Sequence, residues 1–243
     1  LSGDERYPAT FWLNAETFLD SNPPNRGLHW VSAQEVSLRL MAFTFAAQVF
    51  AASVHTTPQR LARLSQSIAA HAARIPPTLT YARAQNNNHL LSESAGLITA
   101  GLALPDHPQA SRWLALGQKW FSWGIEHQIA ADGAYIQHSA NYHRLMLQLA
   151  LWVNVIAWGA VALRPLEPKQ SSVGEALVLG ISRPCNDTSA LALATRWLLA
   201  LCDPGSGRVP NLGPNDGAYI LPLTICPFDD YRPVLQTAAQ VFL

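Results

Sequence analysis

The stretch SANYHRLMLQLALWVNVIAWGAVAL, residues 139–163, decides the fold. From Leu145 to Leu163 it runs nineteen residues without a charge. That is long enough to cross a bilayer. Yet it holds Gln148 and Asn154, starts beside His143 and Arg144, and stands alone in the chain. A helix apolar nearly all round also suits the interior of a helical protein. The stretch therefore reads as a buried helix, capped by Ser139 and ended by Pro165 and Pro168, and no membrane span is expected.

Outward from it the punctuation is helical. Ser32 with Glu35 forms a capping box ahead of the apolar run Val36 to Val54. Thr57-Pro58 opens a helix to about Arg74, and Ile75-Pro76-Pro77 stops it. Asn86-Asn87-Asn88 precedes a run from His89 to Leu104, and Pro105 to Pro108 separates it from another, Gln109 to Ile129. A shorter helix fits Val173 to Ile181, Asp187 is a cap for Thr188 to Leu201, and a last helix starts at Pro233. Between these last two lies a Gly/Pro-rich loop, Gly205 to Gly217, followed by a short strand candidate, Ala218 to Leu223. About seven helices on short turns imply an all-α chain of antiparallel hairpins, with an apolar inner set wrapped by an outer one. The tetrapeptide Asp-Gly-Ala-Tyr occurs twice, at Asp132 and at Asp216, as turn chemistry allows.

Composition narrows the function. The chain has 243 residues, enough to bury a large core, with 49% apolar and only 13% charged residues. Sixteen basic residues balance sixteen acidic ones, and no Lys/Arg run exceeds one residue, so a nucleic-acid partner is not expected. Cys185, Cys202 and Cys226 form no CxxC pair, and His138 and His143 are five apart, a poor spacing for one metal. Neither a P-loop nor a dinucleotide fingerprint is present, and no cofactor or metal is expected. The chain begins at Leu1 and ends on the apolar run Ala238 to Leu243, so it reads as part of a longer protein.

Chemistry gathers at two helix starts. One carries Asn87, Asn88 and His89, with Glu93 a turn beyond; the other carries Ser139, Tyr142, His143 and Arg144. Helix N-termini present unpaired N–H groups and partial positive charge, which suit an anion. Two such ends together would hold a carboxylate, with Tyr142 available for proton transfer. Capping explains the asparagines equally well, and most of the eight Trp read as core. Trp30, in a loop, is a candidate to stack on a sugar ring.

These segments resemble the helical N-terminal domain of heparinase II/III-like polysaccharide lyases, a group close to some alginate lyases. The resemblance rests on Asn22 to Trp30 with Ser32 and Glu35-Val36; on Asn87-Asn88-His89-Leu90 with Glu93 and Gly96; on Gln128 to Gly133 with Ser139 and Tyr142-His143-Arg144; and on Pro210 to Gly217. It implies an incomplete (α/α) toroid spanning 1–243 as one domain. It further implies a C-terminal β-sandwich domain of the same protein, which contributes to the site, and a periplasmic or secreted location. The partner implied is an acidic polysaccharide cleaved by β-elimination. Asn88 and His89 would neutralise the uronate carboxylate, and Tyr142 would protonate the leaving oxygen and is also a candidate to take the first proton. Asn87, Glu93, His143, Arg144, Trp30 and Asp216 would contact substrate. As a base, Tyr142 would need cations to lower its pKa, and His143 and Arg144 are nearest in sequence. The family pattern has a Glu near Gln137, where this chain is neutral. A neutral chain suits a less sulfated uronate polymer. Two other readings stand beside this one. A hydrolase on a similar toroid would use Asp132 and Asp216 as its carboxylate pair. A sugar-binding relative would have lost the chemistry.

Overall fold

The computed structural model describes residues 3–158 and 189–243. The order is α1 (Arg6–Ser21), α2 (Ala33–Val49), α3 (Pro58–Arg74), α4 (Leu79–Gln85), α5 (Asn88–Ala103), α6 (Ala110–Gln128), α7 (Ala140–Trp158), α8 (Ala190–Leu201) and α9 (Arg232–Phe242). Among the described residues there is no β-strand, only an isolated bridge between Ile129 and Tyr135. The expectation of an all-α chain holds.

The caps read from the sequence form. Ser32 accepts the Glu35 N–H, and Thr57 accepts that of Arg60 with Pro58 as the first helical residue. The cap of α8 is Ser189, which accepts the N–H of Ala192. The expected cap Asp187 and the expected helix Val173 to Ile181 lie outside the described residues. Two helices carried no clear signal. The N-cap of α1 is Glu5, whose side chain makes no cap hydrogen bond, and α4 is seven residues long behind two prolines. The strand expected at Ala218 to Leu223 does not form. Instead the Gln148 side chain of α7 acts as its partner, donating to the Ile220 carbonyl at 2.7 Å and accepting its N–H at 3.3 Å.

α5 is the axis of the fold. Every residue from Leu90 to Gly101 is buried. Such a helix needs close neighbours on all sides, and small residues supply them. A Cβ on Gly117 of α6 would lie 2.7 Å from the Ser94 carbonyl oxygen and 2.9 Å from the Ile98 nitrogen of α5. A Cβ on Gly96 of α5 would lie 2.7 Å from the Ser37 Cβ of α2. One apolar cluster packs α1 to α4 against α5, through Trp12, Leu40, Ile68 and Leu97. The other packs α7 to α9 against it, through Leu91, Met146, Leu198 and Phe242. Across the second cluster the Trp152 indole N–H donates to Thr99 Oγ1 at 2.8 Å. The described part of α7 is thus a core helix, and no helix among the described residues is long and apolar enough to cross a membrane. This packing brings the N-terminus of α5 near the 129–139 turn that leads into α7.

Candidate active site

The chain reverses at Asn86, which sits in the left-handed region at φ 46 and closes α4. Asn tolerates that conformation better than most residues. Asn87 is the N-cap of α5, and its Oδ1 accepts the His89 N–H at 3.0 Å. The Asn88 N–H donates to Gln137 Oε1 at 2.9 Å. Gln128 Nε2, at the end of α6, donates to Asn86 Oδ1 and to the Asn87 carbonyl, each at 3.1 Å. Its Oε1 accepts from the buried Tyr135 hydroxyl at 3.0 Å. Capping therefore consumes Asn87 but not Asn88. Asn88 is 4% exposed, and its carboxamide makes no hydrogen bond among the described residues but keeps contact with solvent. His89 is half-buried, and burial lowers its pKa, favouring neutral imidazole.

The N-terminus of α7 is built the same way and then covered. Ser139 Oγ accepts the Tyr142 N–H at 3.1 Å and donates to the Pro214 carbonyl at 2.6 Å. The Ala140 N–H donates to the Leu212 carbonyl at 3.1 Å. Gly213 makes this approach possible: it has φ +66, and a Cβ there would lie 2.2 Å from the His138 oxygen. The loop 211–217 is thereby seated on the helix start and delivers Asp216. Tyr142 donates its phenolic proton to Asp216 Oδ2 at 2.7 Å. Burial, then the hydrogen bond and charge of Asp216, push the Tyr142 pKa up to about 12.

Sequence reasoning noted Gln128 and Gln137 but missed that they join the two segments. Gln137 precedes α7 yet bonds the first N–H of α5, and Gln128 with Tyr135 braces the turn before α5. A neutral carboxamide at 137 supplies the acceptor that the α5 start requires. The available signal was two glutamines bracketing the Asp132-Gly133 turn.

Several expected contacts are overturned by burial. Arg144 is fully buried. Its guanidinium lies 4.2–4.5 Å from the ring centres of Tyr219, Phe228 and Tyr231, and bonds the Phe228 carbonyl and Asn141 Oδ1. It cannot reach a polymer. His143 is also buried, stacked on Trp197 with ring centres 4.9 Å apart and bonded through Nε2 to the Ala194 carbonyl. Burial drops its pKa to about 4, so it supplies no cation. Tyr142 thus meets an anion where cations were expected. Glu93 is 2% exposed and accepts from Thr78 at 3.3 Å, away from the substrate contact expected of it, and burial raises its pKa to about 7. Trp30 is buried against His71 and donates to the Asn22 carbonyl at 3.3 Å, so no sugar ring can stack on it.

The repeated tetrapeptide is one turn used twice. Asp132 Oδ1 accepts the Ala134 N–H and Asp216 Oδ1 accepts that of Ala218, each at 3.0 Å. The following glycines have φ 91 and 80. A cavity of about 310 Å³ lies beside the start of α7, lined by Tyr135, His138, Ser139, His143 and Trp197 among others. Asn88, His89 and Tyr142 do not line it. No group of three metal-ligating side chains occurs among the described residues. Cys202 and Cys226 are free thiols, and Cys185 lies outside the described residues.

Residues 1–160 match the family model of the heparinase II/III N-terminus. Among curated proteins, the heparin-sulfate lyase of Bacteroides thetaiotaomicron is 28% identical over 148 residues, 59% of this chain and 20% of that protein. The crystal structure of heparinase III superposes with a TM-score of 0.62 at 23% identity, covering 88% of this chain and 30% of that one. A heparinase III gene product with methylated lysines gives 0.50 at 24% identity, over 64% of this chain and 27% of that one. At these identities the likeness to heparinase III is one of fold, and it is to the helical region. The chain spans about a fifth of the curated relative and under a third of the solved ones.

Proposed function

The chain belongs to the heparinase II/III family, and from that premise we propose that it forms the helical side of a polysaccharide lyase site acting on an acidic, uronate-containing polymer. One observation carries the reading. The Asn88 carboxamide, unpaired among the described residues and still in contact with solvent, stands at a helix N-terminus that Gln137 ties to the segment bearing Tyr142.

β-Elimination removes the weakly acidic proton beside the uronate carboxylate and expels the glycosidic oxygen from the next carbon. The carboxylate must be neutralised so that charge flows into it. Asn88 supplies N–H donors, the α5 N-terminus supplies partial positive charge, and neutral His89 supplies a further donor. Tyr142 stays protonated at neutral pH and gives its proton to the leaving oxygen, while the base that takes the first proton comes, in this reading, from the β-sandwich domain of the same protein. With an anion at its hydroxyl and no cation acting on it among the described residues, Tyr142 is assigned as the acid and not as the resting base.

Residues 1–243 act as one incomplete toroid in this reading, with a β-sandwich domain of the same protein closing the site and the substrate met in the periplasm or outside the cell. Net neutrality favours a less sulfated polymer. The hydrolytic alternative gains nothing from the geometry, because Asp132 and Asp216 are both engaged in turns. An ultraviolet scan for unsaturated uronate tests the proposal, using the chain, and any longer protein that carries it, on alginate, chondroitin, heparan sulfate and bacterial exopolysaccharides. A rising band on one uronate polymer is expected. Reducing ends without that band would mean hydrolysis, and neither product from a polymer that binds would mean a binding domain.

A further inference from the structure

Asp216 was expected to touch substrate, but its place in the fold indicates a different job. A chain of contacts runs from the core to the candidate acid. Arg144, fully buried in its aromatic box, donates through Nη2 to Asn141 Oδ1 at 2.9 Å. A guanidinium only donates, so the Asn141 carboxamide must present its oxygen to Arg144. Its Nδ2 is then directed the other way, toward Asp216 Oδ1 at 3.4 Å. Asp216 Oδ2 accepts the Tyr142 proton at 2.7 Å. The loop bearing Asp216 is independently anchored by Ser139 on Pro214 and Ala140 on Leu212.

We infer that Asp216 is a positioning residue for Tyr142, oriented through Asn141 by the buried Arg144. The inference rests on the reading of Tyr142 as the proton donor. A tyrosine ring swings about its Cα–Cβ bond, and its hydroxyl proton turns about the C–O bond. A carboxylate acceptor at 2.7 Å restrains the swing. It also holds the proton on the phenol until the hydroxyl turns to the leaving oxygen. Among the described residues Asp216 is the charged group acting on this phenol, since His143 faces Ala194 and Arg144 faces its aromatic box. The arrangement explains why a buried Arg sits two residues from the Tyr yet lends it no positive charge.

The test compares Asp216→Asn, Asp216→Ala and Asn141→Ala in the full-length active protein. Asp216 is exposed, so its replacement leaves the core intact. Two quantities are read: the Tyr142 ionisation, as the tyrosinate absorbance lost in Tyr142→Phe, and kcat separately from KM. The expected results are a Tyr142 pKa lower by roughly one unit or more in Asp216→Asn, and kcat down about 10- to 100-fold with KM within about twofold. Asn141→Ala should move both in the same direction by less. An unmoved Tyr142 ionisation in both Asp216 variants would overturn the inference. So would a loss expressed entirely in KM, which would return Asp216 to substrate contact. If Tyr142→Phe itself kept full turnover, the catalytic reading would fail, while the ionisation shift would still report on the Asp216 contact.

Discussion

Asn88 shows how much a single residue contributes and how much of that was legible. Three consecutive asparagines ahead of a helix announce capping, and capping is what Asn87 does. Asn86 absorbs a left-handed turn. That leaves Asn88 inside the helix start, with a carboxamide that meets solvent and makes no hydrogen bond among the described residues. An unpaired carboxamide that still meets solvent at a helix N-terminus is a candidate for ligand contact, and its removal forfeits no hydrogen bond among the described residues. Asn88→Ala should therefore leave thermal stability unchanged or slightly raised. It should lower kcat roughly 10²- to 10³-fold, the loss typical of removing one donor to a developing oxyanion. Thermal melts and initial rates on the same preparation check this. A variant that melts well below the parent and keeps its rate would make Asn88 structural. The sequence could suggest Asn88, His89 and Tyr142 by type and spacing. It could not show that Arg144 and Trp30 point inward, because exposure depends on which helices pack alongside.

At the scale of elements, caps and prolines were readable because they act locally. Ser32, Thr57 and Ser139 each accept the N–H three residues on, as their sequence context implies. α1 was not readable, since Glu5 offers no side-chain cap. The residues at 218–223 were misread as a strand because their partner is a side chain, Gln148, and not another strand. The close approach of α5 and α6 was likewise invisible until the helices were placed side by side. It makes Gly117 a sharp test of the packing. Its missing Cβ faces backbone atoms of α5, which cannot swing aside as a side chain would. Gly117→Ala gains helix propensity of about 1 kcal/mol, yet should destabilise the protein by about 1–3 kcal/mol net through overpacking. Denaturant unfolding measures the difference, and a stabilised variant would mean the two helices can separate at no cost.

For the whole molecule, three buried titratable groups set the pH response. His71 and His143 have pKa values lowered to about 4 by burial. The unfolded chain binds protons at these positions near pH 6.5, and the folded chain refuses them until about pH 4. Stability from each is present above pH 6.5 and is lost as pH falls toward 4, by an amount on the order of 3 kcal/mol. Glu93 runs the other way. Its raised pKa of about 7 favours the folded state at low pH, and that advantage is lost as pH rises from about 4.5 through 7. Two groups against one predict a net fall in melting temperature between pH 6.5 and 4, made steeper in Glu93→Gln, which removes the opposing contribution. A flat profile in the parent would mean that the imidazoles are not held neutral. The same burial that sets this response keeps His143 and Arg144 out of the site and leaves Tyr142 beside an anion.

The most direct test of the account is the rate of Tyr142→Phe on a uronate polymer that the parent cleaves, with binding measured alongside. Loss of the unsaturated product by about 10²-fold or more, with affinity retained, is the expected result. Turnover equal to the parent's would contradict the assignment of Tyr142 as the acid, and with it the site built on the starts of α5 and α7.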